Sequence, residues 1–197
     1  MKRLIIVALL LYACNSYCQK QTFRGISFYN AHSAMPFSKF GRLISGTIHP
    51  GLEVSQRKIF SRHNKHDWFW DVKASVFYHR FVQWGIPLSV GIGYRYKILH
   101  DLSLDASLSG GYMHSIPDHQ KFKLNSSGNY QSNKGIGRSQ ANANIGFVLN
   151  YTLNPFAQKR VEIFTGYYQE IQMPFIKSYV PLLPYNQLAI GIRKQIK

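Results

Sequence analysis

The chain has 197 residues, 45% of them hydrophobic, a formal net charge of +16 and two cysteines. It is long enough for one domain, and its only continuous apolar run is at the N-terminus and too short to span a bilayer, so a helical membrane protein is excluded. The basic excess calls for an anionic partner, and the exported start of the chain points to lipid head groups and lipopolysaccharide rather than nucleic acid.

Met1–Lys2–Arg3 followed by Leu4 to Leu11 reads as a secretory signal, two charges ahead of a short apolar run. Cleavage after Cys18 gives a signal peptide at 1–18 and a single domain at 19–197. The rival reading is a lipoprotein box, Leu11–Tyr12–Ala13–Cys14, with Cys14 lipidated. Both cysteines lie in this segment, so cleavage after Cys18 leaves no thiol nucleophile, disulfide or thiolate metal site.

The remainder reads as strands, because apolar and small or polar residues alternate with a period of two. Arg24–Asn30 is a weak candidate. Ile44 to Val54 alternates better, with a bend expected at His49–Pro50–Gly51 and a basic turn at Arg57–Asp67. Trp68–Arg80 follows, then the sharpest stretch, Gly85–Tyr96. There Ile86, Leu88, Val90, Ile92, Tyr94 and Tyr96 share one face, and Pro87, Ser89, Gly91, Gly93 and Arg95 share the other. Such a strand of about twelve residues, tilted about 45°, covers roughly 28 Å, the height of a membrane's apolar band. Leu102–Tyr112 is next, then a polar loop at Ser115–Gly137. Ala141–Tyr151, Val161–Tyr168 and a last strand around Leu188–Arg193 complete the set, with a proline-rich loop at Ile171–Pro184. No stretch of the mature chain shows helical periodicity.

These elements predict an all-β fold, an antiparallel up-and-down transmembrane β-barrel of eight strands, since single-chain bacterial barrels use even numbers. The apolar face is expected to point outward to lipid. A soluble lipocalin-like barrel would turn it inward. The polar face is rich in Gly, Ser and Asn, which suits a narrow lumen. It also carries Glu53, Asp71, Lys73, Arg95, Asp105, Glu162 and Arg193, an expected set of lumen ion pairs. Phe69, Phe77, Phe164 and Tyr168 add bulk there. Placing the long loop on the cell surface gathers Trp68, Trp70, Tyr94, Tyr96 and Tyr151 at the periplasmic edge. Tyr78, Trp84 and Tyr112 then lie at the outer edge, giving two aromatic girdles.

The Ile48–His49–Pro50–Gly51–Leu52 segment, the Tyr112–Met113–His114–Ser115 strand end, and Met173–Pro174–Phe175 with Tyr179–Val180–Pro181–Leu182–Leu183–Pro184 resemble small eight-stranded outer-membrane β-barrels of Gram-negative bacteria. The resemblance covers most of the mature chain and implies fold and outer-membrane location. It implies no activity. The final Lys197 departs from the aromatic residue that commonly ends such barrels.

No motif calls for a cofactor or metal. A lipid-hydrolase reading rests on His114–Ser115 with Asp118 or Glu170, but adjacent strand residues point to opposite faces, so His114 could not serve Ser115 if the strand continues there. Lys121, Lys123, Lys134 and Arg138, with Lys39, Arg42 and Lys177 beside the other outer loops, are expected to contact an anionic surface. The expected partners of this monomer are outer-membrane lipid and lipopolysaccharide.

Overall fold

The computed structural model describes residues 21–38, 41–118, 122–125, 128–132, 135–157, 159–175 and 181–196. The signal-peptide reading therefore lies outside the described residues. In chain order come strand β1 (Thr22–Ser33), a one-turn helix α1 (Arg42–Ser45), β2 (Pro50–Arg62), β3 (His66–His79), β4 (Gln83–Lys97) and β5 (Leu102–Pro117). A small hairpin, β6 (Phe122–Leu124) and β7 (Tyr130–Ser132), precedes β8 (Arg138–Thr152), β9 (Val161–Met173) and β10 (Leu183–Gln195). The eight long strands close into one antiparallel barrel in the order β1-β10-β9-β8-β5-β4-β3-β2. The weakest sequence candidate is the closing strand: β1 pairs with β2 on one edge and with β10 on the other, from Phe23↔Gln195 to Ser33↔Tyr185.

The barrel is inside-out relative to a soluble protein. Val90 is 60% exposed and Ile190 62%, whereas Asp105 and Phe69, on the other parity, are 0% exposed. A continuous exposed apolar belt has no place in water and matches the apolar band of a bilayer. This overturns the lipocalin-like alternative, which needs the opposite orientation. The expected girdles form. Trp68 sits edge-on to Tyr94 at 5.2 Å, and Tyr78 lies against Trp84 at 4.8 Å near the opposite end of the same strand pair. We call the end with connections at 63–65, 98–101 and 153–160 the turn end. The end with the hairpin and the connections at 34–49 and 174–182 is the loop end.

Several boundaries differ from the sequence expectation, for identifiable reasons. Ile44–His49 alternates but is not strand. Asn30 ties this segment down, its Nδ2 donating to Leu43 O at 2.9 Å while its Oδ1 accepts from His49 N at 2.7 Å. The basic turn is also shorter than expected. Arg57 to Arg62 continue β2, past an irregularity between Ile59 and Ser61, and the connection is only His63–Lys65. Charged residues there obscured the alternation while the backbone ladder persisted. β5 and β9 run on to Pro117 and Met173, through parts of both expected loops. In β9 and β10 the outer face near the loop end is covered rather than lipid-facing. Asn186 donates to Ser38 O at 2.9 Å, and Gln169 donates to Asn186 Oδ1 at 2.6 Å. A covered face can be polar on both sides, so the period of two fades.

Glycine and aromatic residues occupy the inward parity as pairs. Tyr29 faces Gly51 across the ladder, Phe69 faces Gly93, Phe77 faces Gly85, Phe164 faces Gly191 and Tyr168 faces Gly146. In each, a Cβ on the glycine would lie 2.2–2.7 Å from the ring. The ring therefore lies over the glycine of the neighbouring strand, the arrangement by which aromatics restore packing lost at strand glycines.

Candidate functional site

Five of the seven expected lumen charges, Asp71, Arg95, Asp105, Glu162 and Arg193, meet in one buried network near the turn end, with Arg57 as an additional member. Arg57, expected in a turn, faces inward from β2. It donates to Asp105 at 2.5 Å and to Asp71 at 3.2 Å. Arg95 from β4 donates through Nε to Asp105 Oδ1 at 2.8 Å and through Nη1 to Glu162 Oε1 at 2.6 Å. Arg193 from β10 donates to Glu162 at 3.2 Å and to Asn150 of β8, also at 3.2 Å. Three guanidiniums and three carboxylates thus link six strands, and Asn150 adds β8, which leaves only β1 outside the network. Phe69 underlies the Arg57 guanidinium at 3.5 Å, and Phe164 underlies that of Arg193 at 4.4 Å. Charges out of water need such partners, because removing one leaves the others buried and uncompensated.

Asp71 is therefore paired with Arg57, a residue outside the expected set, and not with Lys73. Lys73 is buried with its ammonium 4.4 Å from the Tyr168 ring centroid. Glu53 is half-buried, and among the described residues neither Glu53 nor Lys73 makes an ion pair within 4.0 Å. The signal for Arg57 was its parity with Glu53 and Ser55, had the strand been extended two residues.

Toward the loop end charges give way to carboxamides. Gln83 donates to Gln172 at 2.6 Å and to the Tyr185 hydroxyl at 3.0 Å, and Gln172 donates to Gln140. Glu170 accepts from Asn142 at 3.2 Å and Gln187 at 2.6 Å. Above them the rings of His49 and His79 stack at 3.8 Å, with His32 stacked 5.9 Å from His49. Burial, and then His32, hold the His49 pKa below the ordinary imidazole value, which keeps this side chain neutral at pH 7. Of these residues the sequence singles out only Glu170, as an acid for the hydrolase reading; Gln83 and Gln172 fall in stretches that read as connections, and His49, His79, Asn142 and Gln187 lie in expected strands without a role.

β5 continues through the proposed hydrolase pair. Ser115 is buried on the lumen side. His114 is on the opposite face, with Nδ1 3.0 Å from the Tyr112 hydroxyl and Nε2 3.0 Å from Ile136 O. The two side chains do not meet. Of the basic loop residues, Lys39, Lys121, Lys134 and Lys177 lie outside the described residues, and Lys123 is in β6. Arg42 is exposed on α1. Arg138 is engaged within the fold, donating to Phe175 O at 2.8 Å with its guanidinium 5.5 Å from the Phe175 ring.

No family model and no curated protein matches the chain. Solved structures do. Neisserial surface protein A matches with a TM-score of 0.50 at 13% identity, over 88% of this chain and 95% of that one. Ail, the attachment invasion locus protein of Yersinia pestis, matches with a TM-score of 0.46 at 14% identity, over 90% and 97%. The outer membrane enzyme PagL matches with a TM-score of 0.45 at 9% identity, over 86% and 97%. At these identities the likeness concerns fold. With the closed eight-strand topology and the exposed apolar belt, the likeness to Neisserial surface protein A shows that the chain has the fold of a small eight-stranded outer-membrane β-barrel.

Proposed function

We propose that this barrel serves a structural or surface-binding role in the outer membrane, with a lumen closed to ions and no catalytic centre. The observation that carries the reading is the network of Arg57, Asp71, Arg95, Asp105, Glu162 and Arg193, which links strands on opposite sides of the lumen. An eight-stranded barrel is just wide enough for side chains to fill it. A pore through this one would have to break several charge-assisted hydrogen bonds among mutually paired, buried groups. Single-channel recording in planar bilayers tests this. The expected trace has no stable open level, and steady, large conductance steps would refute the closed lumen. The geometry of His114 and Ser115 favours a scaffold over a hydrolase.

On this reading the loop end faces outward, and its basic residues contact lipopolysaccharide or another anionic surface polymer. A basic residue near such a surface contributes about 1 kcal/mol, and salt weakens the contact over a Debye length of about 8 Å. Replacing Lys121, Lys123 and Lys134 together with Gln should weaken binding to anionic vesicles and flatten its salt dependence. Equal, salt-insensitive binding by parent and variant would remove the surface contact from the proposal.

A further inference from the structure

The turn end holds a feature that the lumen network leaves unused. A cavity of about 890 Å³ opens there, with the Arg95–Glu162 pair in its lining. A second pair, Lys97 Nζ to Asp67 at 2.6 Å, neutralises one wall. Arg62, Lys65 and Arg160 then remain on the lining, facing one further acid, Asp101. None of the three cations makes an ion pair within 4.0 Å among the described residues.

Their placement follows from strand parity. Arg62 sits opposite Asp67 in the β2–β3 ladder, and Asp67 is buried toward the lumen. Arg160 is two residues before the inward-facing Glu162, and its carbonyl accepts from Gln195 N at 2.8 Å. Both guanidiniums therefore project from anchored backbone toward the same opening. Arg160 is half-buried, and burial together with the nearby Arg62 holds its pKa below the ordinary arginine value. Glu162 and Asp67 offset this crowding of like charges only in part, since Arg160 stays below its ordinary value, and an anion would relieve the remainder. Phe23, Leu99 and Phe156 supply apolar lining beside the cations.

We infer that this vestibule binds a small phosphate monoester, its oxyanion held by Arg62 and Arg160 with Lys65 beside them, and its organic part against the apolar lining. Guanidinium forks match phosphate oxygens in pairs of parallel hydrogen bonds. A dianion suits three cations and one acid better than a singly charged carboxylate or phosphodiester does. The site is separate from the loop-end surface and does not depend on whether the lumen conducts.

Titration calorimetry on the refolded, detergent-solubilised mature chain tests the inference, with glycerol 3-phosphate as probe and sodium chloride at matched ionic strength as reference. The parent should show saturable one-site binding. Arg62→Gln with Arg160→Gln should weaken it at least about tenfold, since each removes hydrogen bonds to a charged group. Lys194→Gln, an exposed cation outside the cavity lining, should leave it unchanged. The absence of saturable heat, undiminished binding by the double variant, or binding of short-chain phosphatidylglycerol alone would overturn the inference. If the double variant fails to fold, as read from its unheated gel mobility, the parent still decides the matter. Glycerol 3-phosphate should protect Arg62 and Arg160 from phenylglyoxal, measured by peptide mass spectrometry, and no protection would overturn the site.

Discussion

Asp105 is the residue on which most of the lumen network turns. Its carboxylate is fully buried and accepts from two guanidiniums, Arg57 at 2.5 Å and Arg95 at 2.8 Å. Burial alone would make this charge costly, so its role depends on both partners being in place. Asp105→Asn keeps the shape and removes the charge, leaving Arg57 and Arg95 to share Asp71 and Glu162. A loss of about 3–5 kcal/mol of folding stability is expected, the usual cost of breaking a buried pair, read from urea titration of the barrel in lipid vesicles. Lys194→Gln, exposed on the outer parity, should change it by less than about 0.5 kcal/mol. Similar small effects from both would mean that the network contributes little to holding the strands together.

Each strand is an element with two chemically different faces, and the face that sequence showed best was the lipid face. Gly85–Tyr96 was legible because every outward position there is apolar and every inward one small, polar or proline. β1 was hard to read because its inward face mixes Phe23, Tyr29 and Ala31 with Gly25 and Ser27, so both faces look partly apolar. The ends of β9 and β10 were hidden for the opposite reason, since a loop covers their outer face and allows polar residues on both sides. Arg57 was missed where charge on neighbouring residues resembled a turn. What single-strand alternation could not reveal is pairing, and the glycine–aromatic pairs exist only across the ladder. A Cβ at Gly93 would lie 2.2 Å from Phe69 Cζ and 3.0 Å from Ala106 O. Gly93→Ala should cost about 1–3 kcal/mol as an overpacked core does, and Phe69→Ala should cost less in the Gly93→Ala background than in the parent. Gly110→Ala, whose Cβ meets only Asn142 O at 3.3 Å on the outer face, is the control and should change stability far less. Equal effects at Gly93 and Gly110 would remove the seat for the ring as the reason for the inward glycine.

As a whole the molecule reverses the usual distribution of polarity: its buried ion-pair network is inside, and aliphatic side chains form most of the exterior belt. Closed strand pairing satisfies the backbone, and the apolar belt satisfies the bilayer, which is the condition for a barrel to cross a membrane. The lumen network is what we propose fills the interior. Both statements meet on β4, where Leu88 and Val90 are 49% and 60% exposed and Ser89, between them, turns toward the lumen. The most direct test is spin labelling of single cysteines at 88, 89 and 90 in refolded residues 19–197, a segment without native cysteine, in bilayers. Collision rates would be measured with lipid-soluble oxygen and with a water-soluble nickel chelate. High oxygen accessibility at 88 and 90, with low accessibility to both reagents at 89, is the expected result for an inside-out barrel with a filled lumen. High nickel accessibility at 89 would contradict the filled lumen, and loss of the alternation between 88, 89 and 90 would contradict the barrel's orientation of faces.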